Sequence, residues 1–137
     1  MSQAEELVRR LHRALLDSRD VTTVDDFFAE DFVSHNQPPE LEAGAAGVKQ
    51  FFTIFRDAFS DAQVSIDELV ADGDRVAVAT TLTGTHDGEL LGIAPTGRQI
   101  SVTGIDLVRV GDGRIVEHRG LTDTVGLMRQ LAATAED

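Results

Sequence analysis

A chain of 137 residues with 42% hydrophobic and 26% charged side chains has the composition of an ordinary globular domain, and it is expected to fold as a single domain over residues 1–137. Twelve basic against twenty-four acidic residues leave a formal charge of −12, which repels phosphate backbones and anionic headgroups and so excludes nucleic acid and membrane surfaces as expected partners. With no cysteine, a disulfide framework, thiolate metal ligands and a cysteine nucleophile are all ruled out.

The opening MSQAEELVRRLHRALLD is charged throughout, with neither an apolar signal core nor a membrane-length apolar run, so a cytoplasmic location is the expectation. Leu7, Val8, Leu11, Leu15 and Leu16 recur at helical spacing and predict a first helix over 4–17, with Glu5 and Glu6 in the turn where the helix dipole favours anions. In VTTVDDFFAEDF, Thr22 or Thr23 can cap a second short helix that turns Phe27, Phe28 and Phe32 inward, and Pro38 and Pro39 of SHNQPPE break it. A third helix over about 45–59 aligns Val48, Phe51, Phe52, Phe55 and Phe59. All seven phenylalanines thus belong to the helical half.

After SDA the apolar period changes from 3.6 to 2. QVSIDELVA, DRVAVATTLTGTH, RQISVTGIDLVRV and RIVEHRGLTD read as four strands of a meander, separated by the turn signals ADGD and GDG and a longer connection containing APTG. TVGLMRQLAATAED predicts a short final helix and a polar tail. Helices followed by an antiparallel sheet make an α+β domain, and a strongly twisted sheet is expected to wrap the helices into a cone around a pocket.

Strand parity then isolates the chemistry. The apolar face of the second strand continues to His86, and that of the third holds Asp106 between Gly104 and Val108. A carboxylate among valines must be paired, protonated or open to a water-filled pocket. In the fourth strand Val116, His118, Gly120 and Thr122 share one parity and Ile115, Glu117, Arg119, Leu121 and Asp123 the other; both are mixed, and pattern does not say which is inward. Gly84, Gly104 and Gly120 leave room on the strands. Polar residues on adjacent strands, with His35 entering from the helical side, point to a functional pocket. Taken singly, His86, Asp106 or His118 reads more simply as a satisfied core group. Phe51 and Phe55 would serve both core and pocket if their helix roofs it. No HxH or HExxH pair suggests a metal, and GxSxG, GxGxxG and GxxxxGK[ST] are absent.

The segments FFAEDFVSHN, GTHDGELLGIAPTGRQI and DGRIVEHRGLTDTVGLMRQL resemble the SnoaL-like polyketide cyclases of the nuclear transport factor 2-like superfamily, over almost the whole chain and in order. The resemblance implies a cone-shaped fold, a barrel-like α+β domain in which helices pack on a strongly curved, mostly antiparallel sheet. It implies an intramolecular aldol cyclisation of a hydrophobic, polyketide-like carbonyl compound by acid/base chemistry, without metal or cofactor. It also implies a homodimer. It places His35, His86, Asp106 and His118 on the pocket and Asp123 at an acidic position that closes the last strand; together with the residue pattern this makes Asp123, Asp106 and His118 the candidate catalytic residues, and His35, His86, Phe51, Phe55 and Gly120 the candidate substrate-binding ones. The same superfamily holds hydroxylase-like proteins, epoxide hydrolases and non-catalytic binders. One departure stands out: where the family writes Glu-His-Trp and then an acid, this chain has Glu117, His118, Arg119 and Gly120. If the catalytic carboxylate belongs at 120, this chain lacks it and must use Asp106 or Asp123 or do something else; if it belongs at 123, it is present.

Overall fold

The computed structural model describes residues 2–18, 23–36 and 41–132. Its elements are α1 (Gln3–Ser18), α2 (Val24–Phe27), β1 (Phe28–Ser34), α3 (Ala45–Ala58), β2 (Gln63–Asp72), β3 (Arg75–Thr85), β4 (Gln99–Gly111), β5 (Arg114–Thr122) and α4 (Thr124–Ala132). Thr22, Pro38 and Pro39, expected to start and stop the second helix, lie outside the described residues, as does the tail from 133. Among the described residues no helix is long and apolar enough to cross a membrane.

The second helix is shorter than expected. It ends at Phe27, and Phe28–Ser34 forms a strand that runs parallel to β5. Phe28 and Phe32 are both buried and meet edge to face at 5.1 Å. Residues four apart share a face in a helix and in a strand alike, so their spacing could not separate the two. Pairing of this backbone with β5 decided for the strand.

The sheet therefore has five strands, in the order β1-β5-β4-β3-β2, with β2 to β5 as an antiparallel meander. Asp112 and Gly113 both adopt positive φ in the β4–β5 hairpin, the backbone that a tight two-residue turn requires. The expected cone and barrel are not formed. β1 and β2 end the sheet as separate edges with no pairing between them, so the sheet is open and mixed. Ordinary strand twist rotates each neighbour by roughly 20–25° without bringing the edges together, and β1, short and broken in register between Phe28 and Val33, offers little backbone for closure.

Helices cover one face. Leu7, Val8 and Leu11 of α1 are buried with Val76, Val78, Val108 and Ile115 in a first core cluster. A second cluster joins Ala58 and Phe59 to Leu90, Ile100, Val102, Leu127 and Leu131. Each fully buried Val, Leu or Phe in these clusters contributes roughly 1.5–3 kcal/mol.

The mixed parity of the last strand has a physical cause. Arg109 faces Glu117 but Val110 faces Ile115, so Val116 is an extra residue in a bulge. The face presented inward changes there: Ile115 is buried before it, and His118 and Gly120 follow on the side of Val108 and Asp106 after it.

Candidate active site

Between the two core clusters the helix-covered sheet face turns polar. Thr80 pairs with Gly104, Val78 with Asp106, Asp106 with Gly120 and Val108 with His118. The meander thus sets Asp106 and His118 diagonally on neighbouring strands, within reach of each other.

They are joined. His118 Nε2–H donates to Asp106 Oδ1 at 2.8 Å, and the Ser34 hydroxyl lies 3.4 Å from His118 Nδ1 on the other side of the ring. The carboxylate fixes the imidazole with its proton on Nε2, which leaves Nδ1 to accept from Ser34. The side chains of Asp106 and His118 remain 35% and 28% exposed, and Asp106 Oδ2 has no partner among the described residues. This oxygen is the free acceptor of the site.

Gly120 makes the pair possible. A Cβ at this position would stand 2.1 Å from Asp106 Oδ1 and 2.8 Å from His118 Nε2, far inside van der Waals contact. Its role is thus to leave space for a hydrogen bond between two other side chains.

His35 lies beside this pair without belonging to it. Its backbone N–H donates to His118 O at 2.9 Å, while its ring bonds Glu117, which also accepts from Arg109 Nε at 2.8 Å. The Arg109 bond foremost, and then that of His35, hold the Glu117 carboxyl down at about 2. Asp123 Oδ1 accepts from Gly126 N–H at 2.9 Å, and Asp123 O accepts from Leu127 N–H. This residue caps α4, satisfying donors that the helix start would leave open.

His86 is elsewhere. It is 0% exposed, its ring lies 5.6 Å from that of Phe59, and its Nδ1 accepts from Thr96 N–H at 3.2 Å. Val78 is the cross-strand partner of Asp106, and His86 lies eight positions further along, about 26 Å at 3.3 Å per residue. Shared parity put both on one face, but the length of the strand keeps them out of one pocket. Phe51, Phe55 and Phe59 form a ladder of rings, 4.6 and 6.0 Å apart, that leads into the second cluster and leaves Phe51 exposed.

The family model for SnoaL-like polyketide cyclase matches residues 6–131. The chain belongs to this family. It is 36% identical over 140 residues to the aklanonic acid methyl ester cyclase DnrD of Streptomyces peucetius, covering 96% of this chain and 92% of the relative. It is 34% identical over 114 residues to the nogalonic acid methyl ester cyclase of Streptomyces nogalater, with 79% and 82% covered. Among solved structures, TsrD of Streptomyces laurentii superposes with a TM-score of 0.85 at 28% identity, covering 96% of each chain.

Within this SnoaL-like chain the Arg119-Gly120 departure acquires a structural meaning: an acid at 120 would collide with the Asp106–His118 pair, so the pair and the glycine go together. Sequence reading did not find Ser34 or Asn36. Both stand beside the singled-out His35, in SHN at the end of a segment read as helix; as the end of a strand, the same three residues become candidates to meet β5.

A cavity of about 760 Å³ lies over the other face of the sheet, lined by Ile105, Leu107, Leu121, Arg119 and Asp67 among others. Asp106 and His118 do not line it. Their side chains leave the sheet on the helix-covered side.

Proposed function

We propose that the protein is a polyketide cyclase that closes a ring by intramolecular aldol addition in a hydrophobic carbonyl compound, with Asp106 as its base. The observation that carries this reading is the Asp106–His118 hydrogen bond in the polar gap between two apolar clusters, in a chain of the SnoaL-like family. Asp106 Oδ2 removes the proton from a carbon flanked by carbonyl groups. The enolate carbon bonds to a ketone carbon of the same molecule, and the resulting alkoxide takes the proton back from the Asp106 carboxyl. Substrate and product are isomers, so the chemistry needs no redox partner, and with an already acidic proton it requires neither metal nor cofactor. His118 holds the carboxylate through Nε2–H, and Phe51 offers an exposed aromatic surface for the substrate's rings. General acid/base catalysis of this kind contributes typically ~10²–10⁴ in rate.

Aklanonic acid methyl ester, the compound for which the relative DnrD is named, is the first substrate to test. Chromatography should show an isomer of unchanged mass, formed by the wild type and not by Asp106→Asn. Binding without turnover would replace the enzyme with a binding protein, and a product of altered mass would mean a different reaction.

The outer sheet face supports a second copy of this chain as partner. Leu121 is 76% exposed and Ile105 64%, Leu107 extends the patch, and Arg119, which has no ion-pair partner among the described residues, and the carboxylate of Asp67 give the same groove charges of both signs. A two-fold related copy can match apolar centre to apolar centre and cation to anion. Sedimentation should give twice 14.8 kDa for the wild type and a shift to monomer for Leu121→Glu; a monomeric wild type removes the dimer.

A further inference from the structure

The backbone of β5 next to the Asp106–His118 pair is held by a side chain. Gly120 N–H donates to Asn36 Oδ1 at 3.1 Å, and Asn36 Nδ2–H donates back to Gly120 O. His35 N–H donates to His118 O one step earlier. β1 ends at Ser34, so beyond it β5 has no strand neighbour on that side among the described residues. The Asn36 carboxamide, a donor and an acceptor in one plane, supplies the rung that the missing strand would have made.

Gly120 is where rigidity counts most. It is the cross-strand partner of Asp106, it is two residues from His118, and its empty side-chain position is the space in which their hydrogen bond sits. A glycine has no side chain to anchor it and more backbone freedom than any other residue. Left without a rung on its open side, its backbone could shift by the fraction of an ångström that opens or closes a 2.8 Å contact.

We infer that Asn36 is a positioning residue, which locks Gly120 against the sheet and thereby holds the Asp106–His118 hydrogen bond at catalytic geometry. It touches neither reacting group, and the role assigned to it rests on the proposed function of that pair. Asn36 is exposed, so water can solvate the Gly120 groups after a substitution, and the fold should tolerate Asn36→Ala. The consequence falls on geometry. Misplacement by as little as 1 Å at an active site can cost about 10²-fold in rate.

The test compares wild type, Asn36→Ala and Asn36→Asp. Aspartate can accept from Gly120 N–H but cannot donate to Gly120 O, so it should restore part of what alanine loses. With aklanonic acid methyl ester as substrate, Asn36→Ala should lower kcat by roughly tenfold or more while KM stays within about twofold. In the ligand-free proteins, amide exchange at Gly120 should accelerate and the His118 ring nitrogen resonances should move, with Asn36→Asp between the extremes. Wild-type kcat in Asn36→Ala, or a Gly120 amide and His118 ring signals that stay at their wild-type values, would overturn the inference. If wild type turns over no substrate, the proposed function fails; the exchange and ring measurements then still decide whether Asn36 holds the pair.

Discussion

Asp106 and Gly120 face each other across β4 and β5, and the space that a side chain at 120 would fill is taken by Asp106 Oδ1, 2.1 Å from where a Cβ would be. Gly120→Ala must therefore push the carboxylate, the His118 ring or the strand aside. We expect a folded protein whose kcat is lower by roughly 10²-fold, since the carboxylate proposed as base is displaced and not removed. Steady-state kinetics with a circular dichroism melt check this, and an unchanged kcat would mean that the pair does not need its present geometry.

Two carboxylates compete for the role of base, and substitution separates them. Asp106→Asn keeps the shape and removes the base, and should lower kcat by roughly 10²-fold or more. Asp123 has one oxygen bound to Gly126 N–H at the start of α4. Asparagine caps helices about as well as aspartate, so Asp123→Asn should leave kcat and stability close to wild type, whereas Asp123→Ala should cost about 0.5–2 kcal/mol in denaturant unfolding. The reverse kinetic pattern would move the base to Asp123.

Acid should expose the Glu117 bridge. Its carboxyl is held at about 2, below its usual 4.5, by Arg109 and then His35. The unfolded chain therefore binds more protons than the folded one between those values, and stability rises with pH across that window. The contribution is full above about pH 4.5 and is lost as pH falls through 2. Urea midpoints measured from pH 2 to 6 should flatten over this range in Glu117→Gln, and an unaltered slope would show that the bridge is not formed in solution.

His86 should matter for folding and not for chemistry. Replacing this fully buried ring by alanine leaves a cavity beside Phe59 and strips Thr96 N–H of its acceptor, at a cost of about 2–4 kcal/mol. The kcat of His86→Ala, referred to folded protein, should match the wild type. A specific loss of kcat at full stability would bring His86 back to the substrate.

Helices α1, α3 and α4 and strands β2 to β5 were legible because their apolar residues repeat with periods that belong to one element type. The same periodicity marked Asp106 as a carboxylate on an apolar face. Between Thr23 and Ser34 this information ran out, since Phe28 and Phe32, four apart, satisfy a helix and a strand equally. The error also hid Ser34 and Asn36, whose roles follow from lying beside β5.

Local pattern was thus sufficient for the identity of most elements, for the polar interruption of the sheet face and for the family, because each is written in residues near one another along the chain. Whether the sheet closes, which face His118 occupies and which groups meet Asp106 depend on pairing between distant segments. The bulge at Val116 changes the inward face of β5, the parallel docking of β1 brings Ser34 to His118, and the length of β3 carries His86 away. Parity states the side of a sheet on which a residue stands; the register between strands sets its neighbours, and here the register made an Asp–His pair across the space left by a glycine.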